Sequence, residues 1–205
     1  MRLRQAIQLT GLDTHKYKTA LEGIAAIHST FTKYMRSDKL QVWTPDTFRE
    51  WSAVSVGNRY FSTGAIAASA EAVPFNNLVD PDGVLATVDS DKYRHTVDND
   101  VGYFERQKKD DGGFRYVFIS CIHKQFTLHL YIRYTLTSPT NISIGDIVEA
   151  RLSFLAAPVT TGYNDNANKD FKLVIVLRSL ALIDNTFTKV QAHCHDCLTT
   201  LTRCN

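Results

Sequence analysis

Phe171-Lys172-Leu173-Val174-Ile175-Val176-Leu177-Arg178-Ser179-Leu180-Ala181-Leu182-Ile183 is the stretch on which the fold turns. It is nearly continuous in apolar residues and rich in β-branched ones. Its length suits a strand covered on both faces better than a helix, so it is read as the central strand of a core. The segment before it has a different pattern. In Ile144-Gly145-Asp146-Ile147-Val148-Glu149-Ala150-Arg151-Leu152-Ser153-Phe154-Leu155 the residues alternate. Val148, Ala150, Leu152 and Phe154 share one face, and Ile147, Glu149, Arg151 and Ser153 the other, which marks a half-buried strand closed by Pro158. Thr161 to Asn168 between the two is a loop.

Working toward the N-terminus, more strand and turn signals appear. Val101-Gly102-Tyr103-Phe104-Glu105-Arg106 and Phe114-Arg115-Tyr116-Val117-Phe118-Ile119 flank a polar tip, Lys108 to Gly113, and read as a hairpin. Asn76 to Gly83 ends in Asp80-Pro81-Asp82-Gly83, a turn in which Pro presets φ and Gly accepts the left-handed position. Val54-Ser55-Val56 is a short strand ending at Gly57-Asn58. Before it the pattern is helical. Tyr17, Leu21, Ile24, Ile27 or His28, Phe31 and Met35 recur every three or four residues, so 13–36 is expected to be a helix, with Asp13 or Thr14 as its cap. Pro45 suits a first helical turn and suggests a second short helix over 45–52.

The expected fold is mainly β: a small partly open barrel or sandwich with an N-terminal helical extension. The expected division is a helical extension over 1–52, a β-rich domain over 53–188 and a disordered tail over 189–205.

Composition narrows the class. The chain has 205 residues, 44% hydrophobic and 21% charged, with a formal net charge of +2. These are globular values. No apolar run is long enough to suggest a membrane span. Met1-Arg2-Leu3-Arg4-Gln5 leads into no apolar run, so no secretory signal is expected. Net charge is +4 over 1–60, −4 over 61–120 and +2 over 121–205, with no sustained basic block. Three of the four cysteines, Cys194, Cys197 and Cys204, lie in the tail, apart from Cys121. That is not a disulfide framework, and it points to reduced thiols in the cytoplasm or nucleus.

Several segments resemble an uncharacterised multi-copy protein family of mushroom-forming (basidiomycete) fungi. They are Gly57-Asn58-Arg59-Tyr60-Phe61, Asn77 to Gly83, His95-Thr96-Val97-Asp98-Asn99, Gly145-Asp146-Ile147-Val148-Glu149 and Phe171 to Leu182. The likeness covers roughly residues 50–188 and implies a fungal source. It implies no activity and brings no catalytic residue. Residues 121–143 have no counterpart in it. They read either as translated intron or as an extra hairpin in which Phe126 to Tyr134 is a strand. The tail from Val190 has no counterpart either, and it too reads as translated intron or as a disordered tail.

The chemistry-bearing patterns are sparse. Cys194-x-x-Cys197, with His193, His195 and Cys204, lacks a second ligand pair at a finger-like distance, so no metal is assigned. His95 and Asp98 could be two arms of an iron site, with His123 or His129 as a further ligand and Arg178 holding a cosubstrate acid. The spacing favours a structural loop in which Asp98 or Asn99 bonds its own backbone. No nucleophile elbow or phosphate-binding glycine loop occurs. No catalytic residue or cofactor is expected. Arg59-Tyr60-Phe61, Lys92-Tyr93-Arg94-His95 and Phe114-Arg115-Tyr116 interleave cations with aromatics. From these, Arg59, Tyr60, Lys92, Tyr93 and Arg94 are taken as candidate nucleic-acid contacts, since such groups stack bases and neutralise phosphates. The competing reading makes the aromatics core. The expected function is a non-catalytic binding module of unknown partner, leaning to nucleic acid, with single-stranded nucleic acid or another protein as the candidate partner and no membrane. The alternatives are a protein–protein interaction scaffold and a metal-dependent oxygenase.

Overall fold

The central run is one long strand with partners from distant parts of the chain. The structure, a computed structural model, describes residues 3–35, 39–88, 90, 92–107, 134–159 and 170–189. In chain order the elements are β1 (Arg4–Thr10), α1 (His15–Tyr34), β2 (Asp46–Phe48), β3 (Trp51–Arg59), β4 (Ser62–Thr63) and α2 (Ala65–Ser69). Then come β5 (Tyr93–Arg94), β6 (Gly102–Arg106), β7 (Tyr134–Leu136), β8 (Ile147–Pro158) and β9 (Phe171–Asp184). The protein is mainly β, with a long helix near its N-terminus. Seven strands form a mixed sheet along the path β1-β3-β9-β6-β7, with β2 on β3 and β8 on β9. The path does not return on itself, so the described strands form no closed barrel. β4 and β5 make a separate two-stranded ribbon. The chain divides into two compact units, one of residues 1–60 with 152–177 and one of 61–151 with 178–205.

In the first unit β3 is the middle strand. It pairs antiparallel with β1 along that strand's whole length, from Arg4↔Arg59 to Thr10↔Ala53, and parallel with β9 at Gly57↔Val176. Val54, Val56 and Asn58 are buried on one face of β3, and on the other Ala53 and Gly57 are buried while Ser55 and Arg59 are exposed. Gly57 is dictated by this crowding, because a Cβ there would lie 2.6 Å from the Gln5 carbonyl oxygen. α1 lays its stripe inward with Ile24 buried and Tyr17, Leu21, Ile27, His28 and Phe31 half-buried. The Tyr17 hydroxyl donates to the Leu9 carbonyl at 2.7 Å, tying the helix to β1. Gly11 permits this approach, since a Cβ there would collide with the Tyr17 side chain.

The short helix expected over 45–52 is instead a hairpin. β2 pairs with β3 from Asp46↔Ala53 to Phe48↔Trp51, and Arg49 takes a positive φ of 54° in the turn. A cross-strand aromatic pair and the Asp46 carboxylate, which accepts from Ser55 N–H at 3.1 Å, outweigh the helix-start preference of Pro45. Residues 1–52 thus hold two strands as well as the helix, and the 52/53 division falls inside the hairpin.

In the second unit β9 pairs parallel with β6, Gly102↔Ser179 through Glu105↔Leu182, and β6 pairs antiparallel with β7. Val101, Tyr103, Leu180, Ala181 and Leu182 belong to its apolar core, with Phe61 and Ala67. β7 and the turn after it come from 121–143: Ser138 caps that turn by accepting from Thr140 N–H at 3.3 Å. β8 alternates as its sequence suggests, with Ile147, Glu149 and Arg151 exposed and Val148, Ala150 and Leu152 half-buried. The 108–113 tip, the 114–119 strand, the loop over 161–168 and the tail from Val190 lie outside the described residues.

Ile175 is 7% exposed in β9. Ile175→Ala should cost roughly 2–4 kcal/mol of unfolding free energy, through lost transfer energy and the cavity left behind. Denaturant unfolding measures it, and a loss under about 1 kcal/mol would contradict the central placement of β9.

Candidate functional site

Lys92, Tyr93 and Arg94 sit on a ribbon whose position is set by one buried amide. In β4–β5, Ser62 pairs with Arg94 and Thr63 with Tyr93. Ser90 and Tyr93 exchange backbone hydrogen bonds of 2.8 and 3.1 Å, closing a tight turn that leaves Lys92 exposed. Beneath the ribbon, Asn99 Oδ1 accepts from Ser62 Oγ at 3.0 Å, Thr96 N–H at 3.1 Å and Thr96 Oγ1 at 2.9 Å. Asn99 N–H donates back to the Thr96 carbonyl at 2.8 Å. Ser62, Thr96 and Asn99 are all at or below 2% exposure, so the cluster is dry, and its internal hydrogen bonds replace those lost to water. This is the structural-loop form expected of 95–99, with Asn99 supplying the side-chain bond.

Aromatic packing completes the support. The His95 ring is buried and stacks on Phe75 at 3.8 Å and 21°, and Phe75 meets Phe61 edge-on at 5.5 Å. Phe61 is therefore core, as the competing reading of the aromatics proposed.

The five candidate contacts fare differently. Lys92 is exposed and Tyr93 half-buried opposite exposed Thr63. Arg94 is half-buried, and its Nη1 donates to the Ala70 carbonyl at 3.3 Å, which caps the end of α2. Arg59 and Tyr60 belong to the first unit, where Arg59 is exposed at the end of β3 and Tyr60 N–H donates to the Leu3 carbonyl at 3.2 Å. Lys92, Tyr93 and Arg94 are thus adjacent in one unit, and Arg59 and Tyr60 in the other. The sequence reasoning singled out Asn99 only as a loop residue. The signal for its central role is Thr96-x-x-Asn99, a spacing that lets an amide reach back to a backbone N–H.

The two arms suggested for an iron site are held in unlike surroundings. His95 is buried against Phe75, whereas the Asp98 side chain is 75% exposed. Arg178 donates to the Asp98 backbone carbonyl at 2.8 Å and approaches its carboxylate at 3.6 Å. Arg178 therefore anchors the 95–99 loop to β9. His123 and His129 lie outside the described residues. Among the described residues no three His, Cys, Asp or Glu side chains gather as a metal site would require.

One ionisable group in the second unit stands out. The Tyr134 hydroxyl donates to Glu149 Oε2 at 2.9 Å. Burial, then the hydrogen bond and the charge of Glu149, raise its pKa to about 12, against the opposing pull of Arg106 and Arg151. No protein-family model, curated protein or solved structure matches the chain.

Asn99→Ala strands the donors of Ser62 and Thr96 in a dry pocket, so a loss of roughly 2–4 kcal/mol is expected in denaturant unfolding. Tyr134 gives a pH signature. Its folded pKa lies above the unfolded value of 10.0, so its stabilising contribution is complete below pH 10 and is lost as the pH rises to about 12. Ultraviolet titration should show one tyrosine ionising late, and Glu149→Gln should bring it earlier.

Proposed function

We propose that this chain is a non-catalytic binding module for single-stranded nucleic acid. The observation that carries the reading is the β4–β5 ribbon, where exposed Lys92 and partly exposed Tyr93 stand on a turn held rigid by the Asn99 cluster. A ring on a fixed backbone beside an exposed cation suits sequence-tolerant binding of a strand, the ring stacking a base and the cation neutralising a phosphate. Arg59 and Tyr60 offer the same combination in the first unit. Arg94 acts mainly by positioning, through its bond to the Ala70 carbonyl. No described helix is long and apolar enough to cross a membrane. A cytoplasmic or nuclear setting, with its thiols reduced, accords with the reading. The resemblance to the basidiomycete family supplies no activity that would compete with it.

A second reading, a protein–protein interaction scaffold, is favoured by one other observation in the second unit. Ile144, Ile147 and Phe187 are 96%, 62% and 72% exposed. The Thr188 hydroxyl holds Asp146 at 2.6 Å, so these apolar side chains flank a single hydrogen bond. A metal-dependent oxygenase is the remaining alternative, and bound iron in the purified protein would favour it.

Binding to single-stranded oligonucleotides should fall steeply with salt. Tyr93→Ala should weaken it by roughly 1–3 kcal/mol without changing the salt slope, because no charge is removed. A filter-binding titration and a thermal melt on the same variant measure this. Absence of binding by the folded wild type at low salt would end the nucleic-acid reading and leave the scaffold reading standing.

A further inference from the structure

Arg4 and Arg59 stand opposite one another on neighbouring strands of the first unit. The Tyr60 N–H···O=C Leu3 bond fixes which kind of pair this is. In an antiparallel ladder, hydrogen-bonded and non-hydrogen-bonded pairs alternate. Leu3 and Tyr60 are hydrogen-bonded, so Arg4 and Arg59 form the non-hydrogen-bonded pair beside them. That is the position where facing side chains lie closest, and like charges placed there repel. Both arginines are exposed, and neither is within ion-pair reach of a carboxylate among the described residues. The next pair on the same face, Ala6 and Gly57, brings neither charge nor bulk. Two arginine backbone positions are therefore fixed opposite one another near the end of a strand pair, with no anion among the described residues to relieve their charges.

We infer that the Arg4–Arg59 pair is a phosphate-binding site. A tetrahedral oxyanion offers oxygens to two planar forks at once, and each arginine can engage it through two N–H donors. Arginine suits this task better than lysine because the fork geometry is fixed. The site deepens the nucleic-acid reading by adding Arg4, and it rests on that reading for the source of the phosphate, a phosphodiester of a single strand. The phosphate chemistry itself stands apart from that source.

The experiment has two arms. In the first, inorganic phosphate is added to the full chain at low salt, and sodium chloride at matched ionic strength is the control. Phosphate at about tenfold its dissociation constant should raise the melting temperature by about 3 °C over chloride. It should also shift the Arg4 and Arg59 side-chain Nε–H signals in NMR spectra. Arg4→Gln and Arg59→Gln should each abolish the phosphate-specific rise, while Lys33→Gln on α1 keeps it. A wild type that phosphate and chloride affect equally, or a rise that survives both arginine substitutions, overturns the site.

In the second arm the probe is a single-stranded oligothymidylate. Arg4→Gln should weaken binding about five- to tenfold and lower the magnitude of the log–log salt slope by about 0.7. Arg4→Lys should restore the slope without the full affinity. A phosphate effect that the arginine variants lose, with no oligonucleotide binding by the wild type, upholds the anion site and overturns its assignment to nucleic acid.

Discussion

β9 pairs with three other strands, a number that only β3 matches among the described strands. Its early residues meet β3 in parallel at Val176, its later residues meet β6 in parallel from Ser179 to Leu182, and β8 pairs with it as well. A strand so enclosed cannot keep a polar face, which is why residues 171–183 read as an almost unbroken apolar run. Leu177, at 0% exposure, lies just before the point where β9 passes from the first compact unit to the second. Replacing any of its buried side chains would be felt wherever those partners depend on it.

What the sequence makes legible follows from how local the physics is. Continuous apolar character, strict alternation and the three-to-four spacing of α1 are properties of a segment by itself, and β9, β8 and α1 were readable from them. The helix was expected over 13–36 and spans His15–Tyr34. The hairpin over β2 and β3 was not readable, because its turn uses Arg49 at positive φ where glycine or asparagine would have announced it. β1 was legible in principle: Ile7 and Leu9 alternate with Gln8, but the stretch is short and nothing next to it says what it pairs with.

The candidate site divides along the same line. Interleaved cations and aromatics look alike in sequence whether they face solvent or core. Burial separates them: Phe61 and His95 pack together around Phe75, Arg94 caps α2, and Lys92 and Arg59 stay exposed. The Arg4–Arg59 juxtaposition depends on a register between segments more than fifty residues apart. No pattern within either segment encodes that register.

The parallel pairing of β3 with β9 also bears on how the chain is made. Gly57 and Val176 are roughly 120 residues apart. At ribosomal speeds of about 5–20 residues per second, β3 is complete some ten seconds before its parallel neighbour emerges. During that interval β1 and β2 can already pair with β3, but the backbone edge that will receive β9 at Gly57 stays open. An open edge is a template for the wrong partner. Nascent chains on crowded polysomes would carry that edge in close array, so a holding chaperone that favours extended apolar strands should associate with this protein before residue 176 and leave it afterwards.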